Sequence, residues 1–218
     1  SHSNIYTHNQ FTKNGAGVAV MYSHHVKMYH NSFDHNWGSS AYGILLKDIS
    51  DSEVMYNKFE YNSAGIYMEG SNRIKMEQNS FYNNGWALRI QASCTDNFIN
   101  RNNFIGNTFD VSTNGETQLN NFSNNYWDKY EGYDINKDGS GDIPYRPVSL
   151  FSMIIEQLPP SLLLIRSFMV YLLDKAEKII PSLTPVNLMD EFPQMRMIKF
   201  TETKKAISSS IINLHYQP

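Results

Sequence analysis

Apolar positions in the first 127 residues form no helical stripe. They come in short pairs, two residues apart, that recur at a nearly fixed distance along the chain. Five copies of an Asn-x-aromatic-x-x-Asn motif set the frame. They begin at Asn9, Asn31, Asn57, Asn79 and Asn102, with aromatics Phe11, Phe33, Phe59, Phe81 and Phe104 and closing asparagines Asn14, Asn36, Asn62, Asn84 and Asn107. A sixth copy, Asn125-Tyr126-Trp127, puts Tyr130 where the last asparagine belongs, and the steps between copies are 22, 26, 22, 23 and 23 residues. Five residues before each aromatic stand Tyr6, Met28, Val54, Met76, Ile99 and Phe122; after it come Val18, Ile44, Ile66, Leu88 and Val111, then Val20, Leu46, Met68, Ile90 and Thr113. Apolar columns two residues apart have strand periodicity. The column between them, Ala19, Leu45, Tyr67, Arg89 and Ser112, is expected to face outward, and the register requires a four-residue insertion between Phe33 and Gly43.

A repeat of this length is the mark of a solenoid. It is too short for a helical-hairpin array and too rich in asparagine for a leucine-rich horseshoe, and it fits one coil of a parallel β-helix. Stacked coils place equivalent residues about 4.8 Å apart. Phe33, Phe59 and Phe81 are therefore expected to fill the bore one on another, and Asn31, Asn57 and Asn79 to form an amide ladder at a corner. Asparagine also tolerates the left-handed backbone a sharp corner needs. These six residues are read as structure.

The chain of 218 residues has room for about six coils, an all-β solenoid, plus a smaller second region. The expected organisation is coils over 1–127, an Asp/Gly-rich capping loop over 128–147, a helical docking region over 148–200 and an extended tail over 201–218. A net charge of −3 gives no basic field for nucleic acid. The single cysteine, Cys94, excludes an internal disulfide and a cysteine-cluster metal site; it reads as a small buried hydrophobe. No signal peptide is visible, yet the chain opens inside a coil with no cap over its edge, so it is expected to be the C-terminal part of a longer protein with further coils ahead of it.

Chemistry is concentrated at the two ends of the repeat. Six of the seven histidines, His2, His8, His24, His25, His30 and His35, lie within the first 60 residues. His8 and His30 share a column and are expected on adjacent coils; His24 and His25 are placed in the turn after a strand ending near Met21; His35 starts the insertion that holds Trp37. Imidazole is the commonest nitrogen ligand for copper and zinc, and methionine sulfur favours Cu(I). His8, His30, His24, His25, His35 and Met21 are therefore candidate copper contacts, against the alternative of plain surface histidines. Arg73-Ile74-Lys75 is similar to a short basic motif of β-helical polygalacturonases, but Asp34, Asp48, Asp51, Asp96 and Asp110 read as falling in different columns, without the aspartate cluster that hydrolysis needs.

Beyond Trp127, Asp134, Asn136, Asp138, Gly139 and Asp142 stand at positions 1, 3, 5, 6 and 9 of a calcium loop, while Tyr145 replaces the bidentate glutamate. A weaker calcium or magnesium site and an Asx-turn cap both remain open. Leu150–Leu158, Ser161–Leu173 and Asp174–Ile180 have helical character, separated by Pro159-Pro160, Pro181 and Pro185. The apolar run Leu162–Leu173 falls short of the roughly 20 residues of a membrane span and suits a capping helix or one docking on a partner near a membrane. Residues 186–218 read as extended, with Phe200–Leu214 either a strand that wraps back or a tail.

The run Asn125-Tyr-Trp-Asp-Lys-Tyr-Glu-Gly-Tyr-Asp, the run Asp138-Gly-Ser-Gly-Asp-Ile-Pro-Tyr-Arg-Pro-Val, and the stretch from Ser149-Leu-Phe-Ser to Pro181-Ser-Leu-Thr-Pro-Val resemble the NosD family of nitrous-oxide-reductase accessory proteins, over about residues 1–196. The resemblance implies a periplasmic right-handed β-helix that works with an ABC-type ATPase and its permease in maturing the copper centre of nitrous-oxide reductase, with copper supplied by a chaperone. It implies no catalytic residues; it implies a platform, with residues 148–186 contacting the membrane subunit and no span of its own. The competing readings are a polysaccharide lyase, hydrolase or epimerase, and a carbohydrate-binding surface protein using Tyr29, Tyr61, Tyr67 and Tyr82.

Overall fold

The computed structural model describes residues 2–115, 119–165, 167–180 and 188–200. Its strands run β1 (Ile5–Thr7), β2 (Gln10–Thr12), β3 (Ala16–His24), β4 (Lys27–Tyr29), β5 (Ser32–Asp34) and β6 (Tyr42–Met55), followed by β7 (Lys58–Glu60), β8 (Ala64–Glu69), β9 (Asn72–Glu77), β10 (Ser80–Tyr82) and β11 (Trp86–Ile90). The last coils hold β12 (Thr95–Asn100), β13 (Asn103–Ile105), β14 (Phe109–Ser112), β15 (Leu119–Ser123) and β16 (Tyr126–Trp127). All ladders are parallel. A six-stranded sheet runs β16-β13-β10-β7-β5-β2; the remaining strands form a ten-stranded sheet. The long strand β6 pairs with β3 and β8 through its first half and with β4 and β9 through its second, so it bends from one face of the coil to the next. The architecture is a parallel β-helix of about five turns, with a sixth begun at β15 and β16.

Register follows the apolar columns. Val18, Ile44, Ile66, Leu88 and Val111 are Cα partners in succession, as are Met28, Val54, Met76, Ile99 and Phe122. The Phe33, Phe59, Phe81 and Phe104 rings stack at 4.8–4.9 Å between centroids, each fully buried, and Trp127 closes the stack at 4.1 Å. Burial of each ring is worth roughly 1.5–3 kcal/mol, with offset aromatic contact added. Rings and backbone meet tightly: a Cβ on Gly43 would stand 2.6 Å from the Gly65 carbonyl and 3.0 Å from Phe59.

The asparagines satisfy one another. Asn57 donates its backbone N–H and its Nδ2 to Asn79 Oδ1 at 2.9 and 3.1 Å, and Nδ2 also donates to the Met28 carbonyl at 2.8 Å. The same pattern links Asn31 to Asn57, Asn79 to Asn102 and Asn102 to Asn125. A second ladder joins Asn36, Asn62, Asn84 and Asn107.

The C-terminal region departs from the expected three helices. Helix α1 spans Leu150–Gln157 and is capped by Ser149. Pro159–Leu164 forms a 3-10 turn, and α2 runs unbroken through Phe168–Ile179. Proline at the first position starts the short turn. Ser167, accepting from the Val170 N–H, restarts the chain as a helix, and nothing at Leu173-Asp174 interrupts it. Both helices lie against the outer face of β11 and β14, where Phe109, Phe151, Ile155 and Val170 form a second apolar cluster with Trp86, Ile165 and Leu173. Among the described residues no helix is long and apolar enough to cross a membrane. The Ser182–Val186 motif, Arg166 and the Phe200–Leu214 segment, apart from Phe200, lie outside the described residues.

Candidate functional site

The corners explain where the histidines stand. His8, His25, His30 and His35 all have positive φ, between 51 and 56°. Histidine, with asparagine and aspartate, is enriched in this left-handed region, so the coil geometry itself selects for it. β3 runs through His24, so the bend falls at His25, later than the expected turn after Met21.

The structure distributes these side chains over three corners. At one, the His2 and His24 rings stack at 3.8 Å, and His24 Nδ1 lies 2.6 Å from His25 Nδ1. At the second, His8 stacks on His30 at 5.0 Å and His30 on Tyr56 at 4.9 Å. At the third, His35 lies over Tyr61 and its Nδ1 meets Asp34 Oδ1 at 2.6 Å. Met21 is exposed on the outer face of β3, and Trp37 is exposed in the insertion. Among the described residues no group of three or more His, Cys, Asp or Glu side chains is arranged to hold a metal.

The His24–His25 pair comes nearest in chemistry. Two imidazole nitrogens each about 2.0 Å from a metal stand roughly 4 Å apart when opposed; 2.6 Å is a hydrogen bond. The pair is therefore a proton-sharing couple that must open to take a metal. The crowding already opposes protonation: His2 is pushed below the usual histidine range, chiefly by His24, then by desolvation.

The aspartates need one correction. Asp51 and Asp96 share a corner column with Arg73 between them, since Ser50 pairs with Asn72 and Lys75 with Phe98. Arg73 forks onto Asp51 at 2.6 and 2.8 Å and holds its carboxyl down to about 2. The cation stands between the two carboxylates and pairs with Asp51, so they do not face each other.

In the 134–142 loop the carboxylates accept from backbone. Asp134 receives the Asp138 and Gly139 N–H groups, Asn136 Oδ1 that of Asp138, Asp138 that of Ser140 and Asp142 that of Ile135. This is Asx-turn geometry.

Two features at this end carry no sequence signal. Asp190, fully buried, accepts from the Asn124 and Asn125 N–H groups, from Asn125 Nδ2 and from Trp127 Nε1 at 2.9–3.1 Å. It replaces the asparagine a next coil would supply, and ends the ladder. Arg89, on β11, forks onto Glu156 of α1 at 2.9 and 2.8 Å, and Ser112 donates to the same carboxylate. The guanidinium also lies over Tyr67 and Trp86. The outward column thus ends under a helix: Ser112 is buried rather than exposed. Beyond this clasp the segment turns its apolar residues outward. Leu163 is 91% exposed and Phe168 72%, with Leu164, Met169 and Tyr171 beside them.

The family model described as "Periplasmic copper-binding protein (NosD)" matches residues 1–138. The chain belongs to the NosD family. NosD relatives include a protein of Pseudomonas aeruginosa strain PAO1 described as "Probable ABC transporter binding protein NosD", 31% identical over 114 residues covering 51% of this chain and 27% of the relative. A protein of Stutzerimonas stutzeri with the same description is 30% identical over 115 residues, covering 51% and 26%. The match thus spans about a quarter of the length of these NosD proteins.

Proposed function

We propose that this chain is the coil-and-helix part of a periplasmic NosD-type accessory protein that works with an ABC-type ATPase and permease in maturing the copper centre of nitrous-oxide reductase. The carrying observation is the apolar surface at Leu163, Leu164, Phe168, Met169 and Tyr171, presented on a segment clasped to a rigid coil by Arg89–Glu156. Contiguous exposed apolar residues of this kind mark an interaction site. The relatives' description as ABC transporter binding proteins supports the permease as the partner.

The histidine corners lie at the opposite end of the coil stack. In this reading His24 and His25, with Met21 nearby and His8, His30 and His35 on the adjoining corners, take copper transiently from a chaperone while the coil holds the apo-reductase. The family description as copper-binding supports that assignment. The chain turns over no substrate; ATP hydrolysis belongs to the partner.

The test is co-purification of the ATPase–permease pair with the chain. Leu163→Asp with Phe168→Asp should abolish recovery of the pair while leaving the β-helix circular dichroism unchanged; full recovery by the double variant sinks the docking role. Cu(I) titration followed by histidine resonances tests the metal role separately. Perturbation of His24 and His25 together with His8, His30 or His35 supports it, and no binding tighter than about 1 mM removes it.

A further inference from the structure

A shallow concavity of about 240 Å³ lies on the outer face of β9, β12 and β15, away from both the histidine corners and the helices. Lys75 and Glu77 on β9, Phe98 and Asn100 on β12, Asn121 and Ser123 on β15, and Asn124 just after it line it. The same two columns are closed in the early coils: Lys27 pairs with Glu53 at 3.9 Å, and the Tyr29 hydroxyl donates to the same Glu53. In the later coils Asn124 Nδ2 donates to Ser123 Oγ at 2.8 Å and to Asn100 Oδ1 at 3.4 Å, but the charged rung is open. Among the described residues, neither the Lys75 nor the Glu77 side chain has an ion-pair or hydrogen-bond partner, and Phe98, 47% exposed, stacks on no other ring.

We infer that this concavity is a binding site for a neutral pyranose saccharide. One exposed aromatic ring offers an apolar floor for the C–H face of a sugar ring. Around it stand a donor-only ammonium, an acceptor-only carboxylate, three amides that do both and a hydroxyl. That mixture suits sugar hydroxyls, each of which donates and accepts, and the volume suits one or two rings. A peptide is disfavoured over β9 and β12 because they are interior strands whose backbone groups are paired on both sides, and at β15, the last strand of the sheet, Phe122 is already bridged by Asp190. The site is independent of the permease-docking reading and uses none of its residues.

The experiment is an isothermal and NMR titration of the whole chain with cellotetraose, trigalacturonate and an uncharged hexapeptide. A neutral-saccharide Kd of about 1 mM or tighter, with shifts at Phe98, Asn100 and Asn121, is expected. Phe98→Ala and Glu77→Gln should each weaken binding about tenfold or more with an unchanged circular dichroism spectrum, and Phe98→Tyr should retain it. Failure of cellotetraose to saturate by about 10 mM, tighter binding of trigalacturonate than of cellotetraose, binding unmoved by Phe98→Ala, or capture of the peptide alone each overturns the assignment.

Discussion

The coils and the helical segment are held by opposite means. In the coils the phenylalanine and asparagine columns meet their own kind one rung away, so Phe59 touches Phe33 and Phe81, and Asn57 bonds Asn31 and Asn79. The interactions are many, repeated and internally satisfied. Among the described residues the helical segment shows an apolar cluster, a forked ion pair and a row of apolar side chains facing out. A region that satisfies itself is a scaffold. A region that leaves apolar surface unmatched, yet is fastened at a defined place, is the one proposed above to meet a partner.

Breaking the scaffold should cost most. Phe81→Ala removes a fully buried ring from the middle of the stack, and urea unfolding should show a loss of about 4 kcal/mol. Asp190→Ala leaves three buried donors and the part-buried Asn124 N–H without an acceptor at the ladder's end and should cost about 3 kcal/mol in the same measurement. Asp190→Asn should recover part of that, because an amide oxygen is what every other rung uses.

Arg89→Ala sharpens the contrast, because it acts on the segment and not on the coils. It strands a nearly buried Glu156 carboxylate, so hydrogen exchange should accelerate across 150–180, reporting a local loss of about 2 kcal/mol, while amides of the coils keep their protection. A coil-wide loss of protection would show that the two regions are one cooperative unit.

The smallest effect is a pH dependence at the junction. Asp110 is buried beside Lys129 at 3.3 Å and Tyr145 at 3.4 Å, and burial pushes its carboxyl up to about 6. The folded state therefore binds this proton more tightly than the unfolded chain does. The group favours the folded state most below an unfolded value near 4, and that favour is lost as pH rises through about 6. The chain should lose about 2 kcal/mol of this contribution between pH 4 and pH 6.5. Asp110→Asn should flatten that slope in urea titrations at a series of pH values; an unchanged slope assigns it elsewhere.

What the sequence disclosed follows from the same contrast. A repeat announces itself, and the columns through Val18, Met28 and Phe11 can be aligned because each residue has counterparts about 22 positions away. Asp190 and Glu156 have none. Their partners, Asn125 and Arg89, are 65 and 67 residues distant, and only folding brings them together. The histidine concentration was plain, but its division over three corners was not: it depends on which positions take left-handed φ, which column alignment alone does not mark. The helical limits shifted for a local reason, the Ser167 cap, visible in sequence but outweighed there by the continuous apolar run.

In the proposed function the coils are a rigid platform and the segment of α1, the Pro159–Leu164 turn and α2 is the part that docks. Hydrogen exchange of the chain with and without the detergent-solubilised ATPase–permease pair tests this division most directly. Added protection is expected across α1, the Pro159–Leu164 turn and α2, with the exchange of β5 to β13 unchanged. Protection gained on the coil faces, with none in the helical segment, would contradict it.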